Sequence, residues 1–258
     1  MQLVTWNDSS NSWSSPVGAG GDPSYEHGYD NATVNQSTGE VYTRLAFGGT
    51  NIRVFNQASR AFTTNFAEPP GGSNYGTPME WHPNLLGGSL IWGHYWGIYR
   101  RAGSSWIQLG GSGLIGDQGP ISAYNHKDDC VYMGGGGGSG GGQLRKISSS
   151  GAIAACAAPS FPLGIMDSSS SGDTSMILGS GNRVNRLVSI AKNGSIREYN
   201  EVTDSWSGVI STLPSAVING VNEGGDWIAC SVPTYGCIVV FRLASMTSVS
   251  TTAYIWKR

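Results

Sequence analysis

The stretch Glu-Tyr-Asn-Glu-Val-Thr-Asp-Ser-Trp, residues 198–206, places two aromatic rings seven positions apart around a polar turn. The same ring-to-ring spacing occurs at four places in the chain: Trp6/Trp13, Phe55/Phe62, Tyr99/Trp106 and Tyr199/Trp206. A fifth, degenerate copy has Ile147 and Ile153 around Ser-Ser-Ser-Gly-Ala. The second members fall at positions 13, 62, 106, 153 and 206, so the period is 44 to 53 residues.

A period of this length accommodates four short strands with their turns, which is the repeat of a propeller blade. A lone four-stranded sheet cannot bury both faces, but sheets packed around an axis can, with large aromatic side chains filling the wedge between them. The fold class that we predict is therefore all-β: a β-propeller of five or six four-stranded blades, closed by the chain termini. It forms a single domain over residues 1–258, with closing strands in 1–17 and blades at 27–66, 78–110, 119–157, 163–210 and 216–257.

Within the blades, alternating apolar residues between turn residues predict the individual strands. The first three blades have strands at 29–35, 40–46, 52–56 and 61–66; at 78–82, 89–95, 97–102 and 105–110; and at 119–125, 130–134, 143–148 and 152–157. The fifth has strands at 216–221, 227–232, 237–243 and 252–257. The fourth is the least regular of the five.

The composition favours this fold and excludes several functions. The chain has 39 Gly among 258 residues and only 12% charged residues, which suits short strands and tight turns better than helices. A net charge of −2 with scattered basic residues argues against nucleic acid as a partner. No apolar stretch approaches the ~18 residues of a membrane span. The N-terminus has no basic run followed by an apolar segment, so we expect a soluble protein without a secretion signal or membrane insertion.

Glycine pairs accompany the aromatic repeat. Phe47-Gly48-Gly49 precedes Phe55 and Phe62, and Tyr132-Met133-Gly134-Gly135 precedes the degenerate isoleucine copy. Together with residues 198–206, these segments resemble the kelch family, whose blades carry a glycine pair at the end of the second strand and then a Tyr and a Trp. The resemblance covers nearly the whole chain and implies a propeller.

The second repeat departs from the kelch pattern, because Gly87-Gly88 precede its second strand instead of ending it. The segment 27–42 and the Gly/Ser-rich, low-charge composition are similar to kelch-type proteins found among bacteriophage structural genes. This resemblance implies a virion surface or tail component, able to form a homo-oligomer within a particle. Its partners would be other virion proteins or a glycan or receptor on the host surface.

Connections after the second and fourth strands of a meander emerge on one face of the fold. This loop face carries six side chains that we predict to form the binding site: His27, Tyr75, His94, Tyr95, Trp96 and Tyr235. Exposed rings of this kind stack on sugars or dock onto partner proteins. The competing interpretation is that Trp92 and Trp96 pack between blades. His82 and His126 follow first strands and belong to the opposite face, so the four histidines are divided and predict no metal site.

No catalytic residue and no cofactor are predicted. A glycosidase needs two carboxylates about 5 to 9.5 Å apart, and no sequence feature brings together any two of the candidates Asp30, Glu80, Asp117, Asp167, Asp173 and Glu223. The predicted function is a non-enzymatic structural or adhesive propeller that binds a glycan, a host receptor or a neighbouring virion protein. The alternatives are a carbohydrate-active propeller hydrolase and a kelch-type peptide-binding adaptor.

The four cysteines have no CxxC spacing, which argues against a zinc site. Cys230 and Cys237 flank a predicted hairpin turn and could meet across two strands. The alternative is that Cys130, Cys156, Cys230 and Cys237 are all small buried packing residues.

Overall fold

The structure is a computed structural model of the 258-residue chain. It describes residues 2–3, 6–7, 9–10, 12–15, 17–18, 32–44, 51–71, 77–116, 119–137, 143–161, 163, 175–178, 187–191, 193–215, 227–232, 237–243 and 251–256. The chain is all-β and folds into several antiparallel sheets, three of them four-stranded, in a propeller-like arrangement.

The sheets follow one another along the chain. The N-terminal hairpin consists of β1 (Gln2–Leu3), β2 (Trp6–Asn7), β3 (Ser12–Trp13) and β4 (Val17–Gly18). Sheet 1 contains β5 (Ala32–Asn35), β6 (Glu40–Arg44), β7 (Asn51–Asn56) and β8 (Ala61–Ala67). Sheet 2 contains β9 (Met79–His82), β10 (Ser89–His94), β11 (Gly97–Ala102) and β12 (Ser105–Gly110), with a 3-10 turn at Leu85–Gly87.

Sheet 3 contains β13 (Ile121–Asn125), β14 (Cys130–Gly134), β15 (Leu144–Ser148) and β16 (Ile153–Cys156). Sheet 4 contains β17 (Ser175–Leu178), β18 (Leu187–Ala191), β19 (Ser195–Asn200) and β20 (Ser205–Trp206), and β21 (Ser211–Thr212) also pairs with β19. Sheet 5 contains β22 (Trp227–Val232), β23 (Cys237–Leu243) and β24 (Thr251–Trp256). Sheets 1, 2, 3 and 5 are antiparallel meanders in which strands adjacent in sequence are neighbours, and sheet 4 departs from this order only at β21.

The predicted strands of the first three blades coincide with the observed ones to within three residues at each end. The bounds predicted for 97–102 and 105–110 are those of β11 and β12. The predicted strand at 216–221 lies outside the described residues.

The first strands of successive sheets contact one another: β5 contacts β9, β9 contacts β13, β13 contacts β17, and β17 contacts β22. Side chains reinforce this inner layer. The Thr33 hydroxyl donates to Glu80 Oε1 at 2.8 Å, and the Ser122 hydroxyl donates to the Met79 carbonyl at 3.3 Å. The sheets therefore meet along their first strands, as blades do in a propeller.

The hydrophobic core is divided into clusters that lie between consecutive sheets. Leu85, Ile91 and Ile98 of sheet 2 pack on Val131 and Met133 of sheet 3. The other clusters join sheets 1 and 2, sheets 3 and 4, and sheets 4 and 5 in the same way. Burial of these faces removes apolar area from water at roughly 25 cal/mol per Å² and drives the sheets together.

Two tryptophans also connect neighbouring sheets by hydrogen bonds. The Trp106 indole N–H donates to the Ala67 carbonyl at 2.8 Å, which joins sheet 2 to sheet 1. The Trp206 indole N–H donates to the Ala157 carbonyl at 3.2 Å, which joins sheet 4 to sheet 3. The recurring tryptophan thus both fills the space between sheets and donates to a carbonyl at the end of the preceding sheet.

The repeated aromatic pairs face each other across the third and fourth strands in sheets 1 and 4. Phe55 pairs with Phe62 and Tyr199 with Trp206, with ring centroids 5.4 and 5.3 Å apart. The degenerate Ile147 pairs with Ile153.

Sheet 2 is different, although its two rings have the same separation in sequence. There Arg101 pairs with Trp106, and Tyr99 pairs with Gln108. The reason is the turn: Ala102 pairs with Ser105, so only Gly103 and Ser104 connect the strands, whereas four residues connect Asn56 with Ala61.

An asparagine closes a four-residue turn in each of sheets 1, 3 and 4. The Asn56 side-chain oxygen accepts the Ser59 N–H at 2.9 Å, and that of Asn200 accepts the Val202 N–H at 3.0 Å. The residue four positions after each of these asparagines has a positive φ, 53° at Arg60 and 47° at Asp204. Asn35 and Asn125 form the same turn after the first strands of sheets 1 and 3.

The strand register does not place Cys230 opposite Cys237. Cys237 pairs with Val232, and Cys230 pairs with Val239. Cys237 is buried and free, as is Cys130, and Cys156 is half-buried and free. The packing interpretation therefore holds for Cys130 and Cys237.

In the part of the chain that the structure describes, no helix is both long enough and apolar enough to cross a membrane.

Candidate functional site

Three of the six predicted binding residues, His27, Tyr75 and Tyr235, lie outside the described residues. The other three, His94, Tyr95 and Trp96, lie where β10 turns into β11. This connection follows a second strand, so it belongs to the predicted loop face.

His94 does not lie on the surface, contrary to the exposed position that the sequence predicted for it. Its side chain is 3% exposed, and Nδ1 accepts the Trp96 backbone N–H at 3.2 Å. Burial, with a smaller contribution from the nearby Arg44 charge, lowers the pKa of His94 to about 4. The neutral, buried imidazole therefore stabilises the hairpin by accepting a hydrogen bond from its backbone.

The two tryptophans of this region differ: Trp92 packs between sheets, whereas Trp96 is exposed. Trp92 is fully buried and packs edge-to-face on Trp106, with Arg44 over its ring at 5.4 Å. Trp96 is 56% exposed and contacts Tyr95 in an edge-to-face pair at 5.1 Å. The Gly113 N–H holds the Tyr95 carbonyl at 2.7 Å, so Tyr95 and Trp96 form a small aromatic pair on a fixed hairpin.

A larger concave site lies between sheets 1 and 2. We call this cavity of about 310 Å³ the cleft. Its walls combine aromatic, polar and small residues from both sheets: Glu40, Tyr42, Val54, Thr64, Phe66, Trp81, Gly88, Ser89, Leu90, Arg101 and Gly103.

Aromatic rings from both sheets form the cleft walls. Tyr42 of sheet 1 and Trp81 of sheet 2 are parallel within 2°, with centroids 5.7 Å apart. Phe66 packs against Tyr42 on one side and Trp106 on the other. Tyr42, Phe66 and Trp81 are each half-buried, so part of every ring still faces the open space.

Two charged side chains give the cleft its polarity. Glu40 Oε2 accepts the Tyr42 hydroxyl at 3.2 Å and the Thr38 hydroxyl at 3.1 Å. Burial, followed by the Glu40 charge, raises the pKa of Tyr42, so the phenol stays protonated. Arg101 lies with its guanidinium carbon 3.4 Å from the centre of the Phe66 ring, and its Nε donates to the Gly103 carbonyl at 2.9 Å.

Local backbone features keep the cleft open. The Asn35 turn delivers Glu40 and Tyr42 at the start of β6. Gly88 has a φ of 109°, and a Cβ there would lie 2.8 Å from Trp81 Cζ2, so only glycine leaves the indole in place. The two-residue turn at Gly103 shifts the register and places Arg101 opposite Trp106.

The cleft opens near the face opposite to the predicted one. Glu40 and Gly88 adjoin connections that follow first strands, and Gly103 lies in a connection after a third strand. Such connections share the face that the sequence assigns to His82 and His126. The available signal was the arginine two residues beyond Tyr99, because no other aromatic pair has a basic residue at that position.

Of the six carboxylates considered for catalysis, Glu80 is hydrogen-bonded within the protein and the other five lie outside the described residues. Glu80 Oε1 accepts the Thr33 hydroxyl and the Trp81 N–H. The other five carboxylates considered for catalysis, Asp30, Asp117, Asp167, Asp173 and Glu223, lie outside the described residues. Within the described ranges, no three His, Cys, Asp or Glu side chains are grouped as metal ligands.

Comparison with known proteins relates this chain to others at the level of fold. No family model matches the sequence, and no curated protein matches it. Among solved structures, the chain is similar to a protein of unknown function from Bacteroides caccae, with a TM-score of 0.50 and 11% sequence identity. The similarity covers 93% of this chain and 78% of that one. At this level of identity, the likeness shows a shared fold alone.

Proposed function

We propose that this protein is a non-enzymatic, kelch-like binding propeller that holds a carbohydrate in the cleft between sheets 1 and 2. The observation that carries the proposal is the set of three half-buried rings, Tyr42, Phe66 and Trp81, around a 310 Å³ cavity. Ligand pockets start at about 300 Å³, so the cleft is large enough for one or two sugar rings.

The chemistry of the cleft suits a sugar. A pyranose ring has an apolar C–H face, which packs on aromatic rings, and an edge of hydroxyls, which need donors and acceptors. Trp81 and Tyr42 supply the faces, while the Glu40 carboxylate and the Arg101 guanidinium supply an acceptor and donors. Because one wall comes from each sheet, the relative position of the sheets fixes the distance between the groups.

We also propose how the N-terminal hairpin closes the ring of blades. Arg60 donates to the Ser15 carbonyl at 2.9 Å, so the N-terminal hairpin lies beside sheet 1. We propose that this hairpin supplies outer strands to the blade preceding sheet 1 and thereby closes a ring of five or six blades. Closure by the two chain ends leaves no long free sheet edge. A place on a phage virion or tail, with a host glycan as ligand, is the setting that the sequence resemblance favours.

Loss of binding on Trp81→Ala would test the site, and Trp96→Ala is the matched control. Both changes remove a partly exposed indole, but Trp96 lies on the opposite face. A glycan array identifies the ligand, and calorimetry with that glycan gives the affinity. We expect Trp81→Ala to weaken binding about 5- to 150-fold, since stacking on an aromatic ring contributes about 1–3 kcal/mol.

A blocking variant distinguishes loss of the site from loss of the fold. Thr64 lines the cleft on the exposed strand β8, so Thr64→Tyr narrows the opening without entering the core. Retained melting temperature with abolished binding supports the cleft. Binding lost in Trp96→Ala but kept in Trp81→Ala and Thr64→Tyr would move the site to the Tyr95–Trp96 pair. A protein that binds no glycan on the array contradicts the proposal.

A further inference from the structure

We propose that Arg101 makes the cleft selective for acidic sugars, those that carry a carboxylate such as a uronic acid. This inference rests on the proposed function, because it names the class of carbohydrate that the same cleft takes. It depends on how Arg101 is held and on which of its donors are used.

Arg101 is fixed before any ligand arrives. Its guanidinium carbon lies 3.4 Å from the centre of the Phe66 ring and 5.7 Å from that of the Trp106 ring, so two aromatic side chains restrict its position. The bond from Nε to the Gly103 carbonyl restricts its rotation. A guanidinium oriented in this way has already lost the side-chain freedom that binding would otherwise remove.

The outer donors of Arg101 remain open to a ligand. Among the described residues, only the Gly103 carbonyl accepts a hydrogen bond from this side chain, and the atom that donates is Nε. No described carboxylate forms an ion pair with Arg101 within 4 Å, although Glu40 lines the same cleft. Nη1 and Nη2 together form the planar fork that matches the two oxygens of a carboxylate.

The buried arginine elsewhere in the same interface shows the pairing that Arg101 lacks. Arg44 forms a bidentate pair with Glu68, with Nε–Oε1 at 2.6 Å and Nη2–Oε2 at 3.2 Å. Arg101 is half-buried beside the same sheets and has no such protein partner among the described residues. A sugar carboxylate would complete this pairing while the sugar ring packs on Trp81.

Glu40 disfavours acidic sugars, the opposite of the effect of Arg101. Its carboxylate is held by Tyr42 and Thr38 and adds a negative charge to the cleft. Removing that charge by Glu40→Gln lowers the repulsion of an acidic ligand, whereas removing the charge of Arg101 takes away its partner. The two substitutions therefore shift selectivity in opposite directions.

The experiment compares uronic-acid oligosaccharides with their carboxyl-reduced counterparts, which have the same linkages but no charge. Calorimetry on the full chain gives the ratio of the two affinities. For the natural protein, we expect the acidic form to bind about tenfold more tightly, as for one charge-assisted hydrogen-bonded pair. Added salt should reduce this ratio, because it screens partly exposed charges.

The variants then assign the ratio to Arg101. Arg101→Gln should bring the ratio of the affinities for the acidic and reduced forms close to one. Arg101→Lys should leave an intermediate ratio, because the charge is kept but the planar fork is lost. Glu40→Gln should raise the ratio. Melting temperatures identify any variant that fails to fold, and Glu40→Gln keeps the test decisive if Arg101→Gln is one of them. Equal affinity for the acidic and reduced forms would overturn the role of Arg101 and leave carbohydrate binding intact. Failure to bind either form, or any other glycan, would instead overturn the proposed function.

Discussion

The contact between sheets 1 and 2 contains an open cleft, whereas the contact between sheets 3 and 4 is closed, although both follow the same repeat. Tyr42 and Tyr132 each lie seven residues after a turn asparagine, Asn35 and Asn125. Tyr132 is fully buried against Tyr199, with centroids 5.5 Å apart. Tyr42 is half-buried and faces open space.

A few substitutions at equivalent repeat positions account for the difference. Across from the recurring tryptophan, sheet 4 has Tyr199 and sheet 2 has Arg101. Two residues before the equivalent tyrosines, sheet 1 has Glu40 and sheet 3 has Cys130. A repeat fold can therefore acquire an open cleft by exchanging packing residues for charged ones, without an inserted loop.

The largest expected effect concerns the two equivalent tyrosines. Tyr132→Ala should lower the free energy of unfolding by about 3–5 kcal/mol, the cost of removing a buried aromatic ring. Tyr42→Ala should cost about half as much, because its ring is already half exposed to the cleft. Urea denaturation measures both changes. Equal losses would mean that the two interfaces are packed alike.

Acid should weaken the interface of sheets 1 and 2. His94 has a pKa of about 4 in the folded protein and an ordinary value of 6.5, so the unfolded chain binds its proton first. The resulting stability is complete above pH 6.5 and is lost as the pH falls towards 4, by up to about 3 kcal/mol at 1.36 kcal/mol per pKa unit.

A substitution at His94 checks this pH dependence. His94→Asn keeps an acceptor for the Trp96 N–H but cannot titrate. The unfolding free energy of this variant should fall less between pH 7 and pH 4.5 than that of the natural protein. Parallel pH profiles for the two proteins would show that His94 does not bind its proton preferentially in the unfolded chain.

Filling the cleft with an aromatic side chain should make the contact between sheets 1 and 2 resemble that between sheets 3 and 4. Arg101→Tyr places a ring opposite Trp106, as Tyr199 lies opposite Trp206. We expect glycan binding to fall at least tenfold and the unfolding free energy to rise by about 1 kcal/mol, the contribution of an aromatic pair. The control is Arg100→Tyr, on the other face of β11. Unchanged binding by Arg101→Tyr would contradict the location of the site.

The smallest effect should come from the turns before the two tyrosines. Asn35→Ala and Asn125→Ala each remove a side-chain acceptor for a turn N–H, so each should cost about 1 kcal/mol in unfolding free energy. Only Asn35→Ala should also weaken glycan binding, because its turn leads directly to Glu40. Calorimetry on both variants makes this distinction, and equal weakening would count against it.

The strands were predictable because turn residues mark them locally. Asparagine and glycine separate the strands of sheets 1 and 3, and their hydrogen bonds lie within a few residues. The two-residue turn at Gly103-Ser104 followed from the predicted bounds 97–102 and 105–110. The seven-residue spacing of Tyr99 and Trp106 gave no sign that Arg101, and not Tyr99, pairs with Trp106.

The cleft could not be predicted because its walls come from distant parts of the chain. Tyr42 and Trp81 lie 39 positions apart and meet only when two sheets pack. The same reasoning explains the error at His94. Its burial depends on sheet packing that brings Arg44, from another sheet, close to it.

The indole N–H groups of Trp106 and Trp206 each join one pair of neighbouring sheets. Trp106 joins sheet 2 to sheet 1 and Trp206 joins sheet 4 to sheet 3, whereas Ile153, at the equivalent position of sheet 3, has no N–H on its side chain to offer sheet 2. Partial unfolding of a protein proceeds through cooperative units of this kind. Amide hydrogen exchange should therefore be correlated within each pair, whereas sheets 2 and 3 are joined by the cluster of Leu85, Ile91, Val131 and Met133 and by the hydrogen bond from Ser122 to Met79.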